Sequence, residues 1–400
     1  SMSRAKLEEM ALINRQHAED GTLELTDKIV EIPAANYYDK DRWDSEIQKI
    51  FKRLPLVLGL SKELPNVGDF KALEAVGVPI ILSRNSKGEL TAFLNMCRHR
   101  GAAIVEVGKG NSSSFRCPYH GWAYDEDGKL IGISDNKNFG DLDKSCKGLI
   151  RLNVLEKAGI IWVNLDEKTT LSTEAFLSGY DEMLAHFGFE DWHIFDTRVV
   201  KGPNWKIAYD GYLDLYHLPV LHSETFGTEI SNKAMFYQWG PHQRVISPSR
   251  LPDQDDFAGD GIDYTKAPVS EVPTPILMTG VWTIFPHISI ASFNAGGRSV
   301  LLSQLMPGDS PEESLTVQYY LMEKKPNKKQ TKEAEEQFKF LEFVVQEEDY
   351  STGFKLQKGL KTGKMNTVLF GRNEKGGQVF HNWVEKLINT KDQGLGKLFI

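Results

Sequence analysis

Residues 4 to 19, RAKLEEMALINRQHAE, carry apolar side chains at helical spacing and predict an amphipathic helix. From about Ile32 to Asn164 the period shortens. PIILSRNSKGELTAFLNM is an apolar run, an Asn-Ser-Lys-Gly turn and an alternating run, which predicts a hairpin. GLIRLNVLEKAGIIWVNLDE repeats that pattern, so this half reads as a small all-β domain. After NLDEKTTLST, helical segments are expected at 174 to 188, then a strand around IFDTRVVKG. TGVWTIFPHISIASFNAGGRSVLLSQLMPG and ESLTVQYYLMEK predict consecutive antiparallel strands. A long helix follows from about Lys329 to Leu360, and QVFHNWVEKLI closes the chain as a shorter one. The second half is therefore α+β, a sheet with helices packed against it. The acidic, Gly- and Pro-rich stretch at about 252 to 275 reads as an excursion, a mobile lid over a site.

Composition narrows the function classes. The chain has 400 residues, 40% hydrophobic and 26% charged, with a net charge of -8. That balance argues against nucleic acid or an anionic membrane surface as the partner, since both favour basic patches. No apolar run reaches the length of a membrane span, and Ser1-Met2-Ser3 resembles a cloning scar rather than a secretory signal. The sparse, odd cysteine set, Cys97, Cys117 and Cys146, fits a reducing cytoplasm and not a disulfide framework.

Two of those cysteines sit in short motifs. CRHRG at 97 to 101 and CPYHGW at 117 to 122 place Cys-x-His and Cys-x-x-His in one domain, with 17 residues between His99 and Cys117. Each pair lies in a Gly-terminated loop beside a strand. Two thiolates and two imidazoles are the ligand set of a [2Fe–2S] centre with one Cys-ligated and one His-ligated iron. A tetrahedral Zn in a Cys₂His₂ site is the alternative. Zinc fingers, however, usually pair Cys with Cys and His with His and follow with a helix. Cys146 has no partner in either reading and is expected to be a buried inert thiol.

The stretch YDGYLDLYHLPVLH, residues 209 to 222, holds the second concentration of chemistry. His217 and His222 are five residues apart, about 140° on an ideal helix, so both could not face one metal there. Pro219 between them must break or kink the helix and let the rings converge. Simple core histidines are the competing reading.

The first motif pair closely resembles the Rieske motif. Respiratory-chain Rieske proteins add two bridging cysteines; here those positions are Ala102 and Tyr119. The chain is therefore identified as resembling the other branch, the large (alpha) subunit of the Rieske non-haem iron oxygenases, over nearly its whole length. GPNWK at 202 to 206 resembles that family's lead-in. Asp214, Tyr216, His217 and His222 fill its D-x-Y-H…H motif. Many members carry Asn where this chain has Asp210; a residue behind the ligands and a solvent-facing helix residue are both open for it.

The resemblance implies an α+β chain: an N-terminal helical segment at 1–37, a β-rich Rieske [2Fe–2S] domain at 38–165, and a helix-grip catalytic domain at 166–400. It implies Cys97, His99, Cys117 and His120 as cluster ligands, and His217 and His222 as ligands of a mononuclear Fe(II). The third ligand should be a carboxylate on the long helix, Glu347, Glu348 or Asp349. Asp349 lies in step with Leu341, Val345 and Leu356, whereas Glu347 shares a stripe with Phe343 and Phe354. The resemblance of QEEDYSTGFKLQKGL to the family segment selects Asp349 and leaves Glu347 and Glu348 as surface charge.

Asp214, one helical turn before His217, would hydrogen-bond that ligand and, in a homotrimer, reach His120 of the partner subunit. Electrons from NAD(P)H would arrive through a separate reductase, with or without a ferredoxin. The substrate expected with O₂ is an aromatic or other hydrophobic ring compound, bound near Phe226, WTIFPHISIASF and the 252 to 275 excursion. Oxidative demethylation of a methylammonium compound is the alternative. A pure electron carrier is the reading from another class.

Overall fold

The computed structural model describes residues 2–227, 231–248 and 257–399. Its contacts divide the chain into two compact units, Phe51–Phe176 and the combination of Ser1–Ile50 with Leu177–Ile400.

The Phe51–Phe176 unit is built from short antiparallel strands. A five-stranded sheet runs in the order Arg151–Leu152, Leu90–Leu94, Val78–Arg84, Asp69–Ala75, Gly108–Asn111. Its central hairpin turns at Asn85, which accepts the amides of Lys87 and Glu89 on its side-chain oxygen. The second expected hairpin, Val154–Lys157 with Ile160–Val163, turns on Ala158 and Gly159, both with positive φ. A two-residue turn of that kind matches the twist of the flanking strands. A third sheet, Ser114–Arg116, Ala123–Asp125 and Leu130–Gly132, frames the second Cys/His loop. One core cluster joins Ile81, Phe93, Phe115, Trp122 and Tyr124 to Cys97 and Cys117, so both thiols are buried.

The larger unit holds a seven-stranded antiparallel sheet. Its order is His193–Gly202, Ser314–Met322, Arg298–Pro307, Ile288–Asn294, Val281–Ile284, His242–Ile246, Met235–Trp239. Register makes two neighbouring rows on one face. Gln318, Ser303, Ser289, Thr283 and Gln243 pair successively across the strands and form a buried polar row. Two residues along lies an apolar row of Tyr320, Leu301, Ala291, Val281 and Val245. The helix Trp205–Asp210 covers the polar end, where Tyr209 donates to the Ile288 carbonyl.

The N-terminal residues belong to this unit. Val30–Pro33 pairs antiparallel with Thr367–Phe370. The fully buried Glu46 meets the fully buried Lys206. The N-terminal helix Met2–Asp20 holds the described part of the 252–275 segment: Arg4 donates to the Val272 carbonyl, and Arg15 to those of Tyr264 and Ala267. Residues 252–256 of the expected lid lie outside the described residues, and those that follow are tethered to that helix.

The long C-terminal helix is not uniform. Asn327 and Gln330 cap it reciprocally, and α-helix runs over Lys328–Phe343. A π-helical segment, Val344–Tyr350, then widens the coil before Ser351–Leu360 resumes. Among the described residues, no helix is long and apolar enough to cross a membrane.

Candidate metal centres

The two Cys/His loops close in the same way. Cys97 N–H donates to the Ala102 carbonyl at 2.8 Å while Gly101 N–H donates back to the Cys97 carbonyl at 2.8 Å. Cys117 repeats this with Trp122 at 2.8 Å and Gly121 at 3.0 Å. Gly101 (φ 86°) and Gly121 (φ 74°) both need the left-handed backbone, and a Cβ on Gly121 would meet Ser134 and Arg116. The result is a pair of matched knuckles that turn His99 and His120 towards each other, Nδ1 to Nδ1 at 3.1 Å. Trp122 stacks on His99, and Tyr119 on His120. The Tyr124 hydroxyl lies 3.3 Å from Cys97 Sγ and accepts the Arg98 amide. Burial and that thiol push the phenol's pKa up. Partial desolvation, with His99 and Arg100 nearby, lowers that of His120.

Among the described residues, one group of three or more such side chains brings all its ligand atoms within 4.8 Å of one another, and it is not this one. A tetrahedral Zn would draw its four donors to within roughly 4 Å of each other. The two buried thiols and the two paired imidazoles do not close into such a group, which suits a centre with two metals.

The tight group is His217, His222 and Asp349. His217 Nε2 and His222 Nε2 are 3.2 Å apart, and Asp349 Oδ1 lies 3.4 Å from the first and 2.9 Å from the second. Bonds of about 2.1 Å at right angles place donors about 3.0 Å apart, so this triangle fits one face of a metal ion's coordination shell. Burial alone would lower the pKa of His217, but the Asp214 and Asp349 carboxylates outweigh it and raise it to about 9. Asp349 responds in kind, its pKa held down by the two imidazoles against its own desolvation.

Local structure departs from three expectations. Pro219 does not break a helix; it occupies the first turn of the one-turn helix Leu218–Leu221, where its missing N–H costs nothing, and the two histidines flank that turn. Asp214 is extended (φ -137°, ψ 126°) rather than helical. Its Oδ1 accepts the Tyr216 amide and stands 3.6 Å from His217 Nδ1, closer to an ion-pair contact than a hydrogen bond. Glu348 is not surface charge: it accepts from His222 Nδ1 at 2.8 Å and from Thr225 Oγ1 at 2.6 Å. Glu347 is exposed.

Other residues escaped the sequence reading. Tyr350 Oη sits 2.9 Å from Tyr212 Oη and 2.6 Å from Thr316 Oγ1, which pins the turn after Asp349. Asp210 takes neither expected role. It accepts from the Tyr37 hydroxyl at 2.5 Å and lies 2.8 Å from His381 Nε2, joining the N-terminal segment to the last long helix. Cys146 is exposed, not buried, with Sγ 3.3 Å from an Asp143 oxygen.

These two constellations, on a β-rich unit and on a sheet gripped by helices, define the class that the comparisons identify. Residues 55–150 match the Rieske [2Fe-2S] domain, and residues 189–390 match the ring hydroxylating alpha subunit (catalytic domain). The chain belongs to the ring-hydroxylating alpha-subunit family, with that family's [2Fe–2S] and mononuclear-iron cofactors. The anthranilate 1,2-dioxygenase large subunit of Acinetobacter baylyi is 29% identical over 274 residues, which are 66% of this chain and 58% of that protein. The chloroplastic choline monooxygenase of Beta vulgaris is 28% identical over 373 residues, 89% of this chain and 76% of that protein. Among solved structures, naphthalene 1,2-dioxygenase from Rhodococcus sp. aligns with a TM-score of 0.74 at 19% identity, over 96% of this chain and 98% of that one. The quaternary ammonium Rieske monooxygenase CntA with L-carnitine aligns with a TM-score of 0.72 at 20% identity, over 92% and 97%. These structural likenesses establish the fold.

Proposed function

We propose that this chain is the terminal oxygenase component of a Rieske non-haem iron oxygenase system. The observation that carries it is the His217–His222–Asp349 triangle in a chain that also holds the paired Cys97/His99 and Cys117/His120 knuckles. A simple electron carrier has no use for the triangle. Cys97, Cys117, His99 and His120 would hold the [2Fe–2S] centre, and His217, His222 and Asp349 the mononuclear Fe(II). When bound, the two groups supply one-electron transfer and O₂-dependent oxidation. The chain's own part is to fix the donors, keep them desolvated and seat the substrate. A separate reductase, with or without a ferredoxin, is the source of electrons from NAD(P)H. The functional unit is a homotrimer, in which Asp214 links His217 to His120 of the partner subunit.

The substrate we favour is an aromatic or other hydrophobic ring compound. The Phe226 ring meets His222 edge-on at 5.5 Å, and Phe340 meets Phe226 at 5.6 Å. Phe226 and Phe340 pack against a core of Tyr320, Leu301, Phe338 and Leu341, continuous with the apolar row of the sheet. The second reading, oxidative demethylation of a methylammonium compound, draws support from the choline monooxygenase relative and from the same aromatic faces, which would also attract a cation. Iron counting tests the class: a carrier with one [2Fe–2S] centre holds two irons per chain, the oxygenase three. NADH-dependent O₂ uptake with a surrogate reductase, across ring compounds and methylammonium compounds, tests the substrate; product masses separate one inserted oxygen atom, two, or a lost methyl group.

A further inference from the structure

We propose that Glu348 is a positioning residue that selects the metal-binding tautomer of His222 and, with Thr225, locks that ring in place. This rests on the reading of His217, His222 and Asp349 as the metal ligands.

An ionised carboxylate only accepts hydrogen bonds, so the 2.8 Å contact between Glu348 Oε1 and His222 Nδ1 requires the ring hydrogen on Nδ1. The lone pair is then on Nε2. That is the nitrogen 3.2 Å from His217 Nε2 and 2.9 Å from Asp349 Oδ1. The Thr225 hydroxyl gives its proton to the same Glu348 oxygen at 2.6 Å, which fixes the carboxylate itself. Thr225 is one turn after His222, and the amides of Thr225 and Phe226 both donate to the His222 carbonyl. The His222 side chain is 2% exposed and that of Glu348 12%, so water competes little for this bond.

The two ligand histidines are not held alike. His217 has its carboxylate, Asp214, at 3.6 Å and is 21% exposed. His222 is thus the fixed ligand and His217 the freer one. The π-helical segment Val344–Tyr350 makes the arrangement possible. It delivers Glu348 and Asp349, adjacent in sequence, to the two nitrogens of one imidazole, while Tyr350 is pinned by Tyr212 and Thr316. Single-turn π segments are frequent at functional sites.

A carboxylate behind a ligating imidazole raises its basicity and fixes its orientation, and losing one typically costs 10–100-fold in metal affinity. The test is equilibrium Fe(II) binding to chelator-treated protein under anaerobic conditions, read with cluster absorbance and melting temperature. Glu348→Ala is expected to weaken Fe(II) binding about 10–100-fold with the cluster spectrum unchanged. Glu348→Gln, whose amide oxygen can still accept from Nδ1, should recover most of that loss. Glu348→Asp keeps the charge but withdraws it by one methylene, and should lose about tenfold; it serves if the alanine variant does not fold. Wild-type Fe(II) affinity in folded Glu348→Ala or Glu348→Asp overturns the positioning role. His217→Ala separates this from failure of the site assignment: if it too binds Fe(II) like wild type, the metal centre is elsewhere.

Discussion

The Glu46–Lys206 pair offers a test of what holds the catalytic unit together. Lys206 ends the GPNWK stretch, and both its side chain and that of Glu46 are fully buried. The ammonium also reaches the Asn36 carbonyl and lies 5.4 Å above the Tyr37 ring. Burial pulls the pKa of Lys206 down, against the pull of Glu46. In Lys206→Met the carboxylate keeps Trp205 Nε1 at 3.0 Å and Arg42 Nε at 3.4 Å, so part of its charge remains compensated. In Glu46→Ala the ammonium keeps a carbonyl, a ring face and the more distant charge of Asp210. Breaking a buried pair costs about 3–5 kcal/mol, which places Lys206→Met near the lower end and Glu46→Ala near the upper. With about 2–4 °C per kcal/mol for a unit of this scale, the melting temperature should fall roughly 6–20 °C. Differential scanning calorimetry measures this, and the visible cluster absorbance reports separately on the other unit. The double variant Glu46→Leu/Lys206→Met, with no charge left to bury, should be no worse than the milder single variant. A Lys206→Met protein melting within about 2 °C of wild type, or a double variant whose losses simply add, would refute the reasoning.

Other expectations follow from the sites. His217→Ala and Asp349→Ala should lose the mononuclear iron while retaining the red-brown cluster spectrum, whereas the exposed Glu347→Ala should keep both; metal analysis alongside absorbance decides this. Asp214→Ala should keep both centres loaded but slow cluster reoxidation when reduced enzyme is mixed with O₂ and substrate; wild-type rates would remove Asp214 from the route between centres. His287 is fully buried, its Nδ1 3.1 Å from the Leu305 carbonyl, and desolvation lowers its pKa to about 3. Its folded pKa is below its unfolded one, so its contribution is complete above about pH 6.5 and is lost as pH falls towards about 3, by at most about 1.4 kcal/mol per pH unit. His287→Asn should flatten the decline of the melting temperature between pH 6 and 4 relative to wild type, about two pH units in which that slope applies.

Sequence reading reaches furthest where the information is local. The Cys-x-His loops, the Asn85 and Ala158-Gly159 turns and the His217/His222 spacing are each set within a few residues. It lost ground where pitch changed. A continuous α-helix puts Asp349 in step with Leu356, yet Leu356 is 45% exposed, because the π-helical segment shifts the phase beyond residue 343. The competing stripe was informative: Phe343 and Phe354 are 53% and 42% exposed, so Glu347 beside them faces away. Glu348 and Lys206 were illegible for another reason. Their partners stand far off in the chain, and neither a glutamate before an aspartate nor a lysine after a tryptophan signals burial. Asp210 shows the same limit, since Tyr37 and His381 are supplied by opposite ends of the chain.

The two rows on the sheet explain why the candidate iron site lies where it does. Buried polar groups need partners, and helices bring some to this end of the sheet: Gln243 Nε2 donates to the Gly376 carbonyl, and Tyr209 donates to the Ile288 carbonyl beside the row. That end is thereby filled. The apolar row needs no such partners, and its middle members, Ala291 and Val281, are small and only partly buried. Leu215, beside Asp214, packs towards Val281 and Val245 at one end, and Phe226, beyond His222, packs towards Leu301 and Tyr320 at the other. The loop that carries both histidines thus bridges the row. A substrate resting on this floor would meet hydrocarbon and aromatic faces, while Asp214 stands beside His217, Glu348 accepts from His222 and Tyr350 is held by Tyr212 and Thr316. Selectivity in such a site would come chiefly from shape, and substitutions at Ala291 or Val281 should shift which substrate is accepted before they affect iron binding.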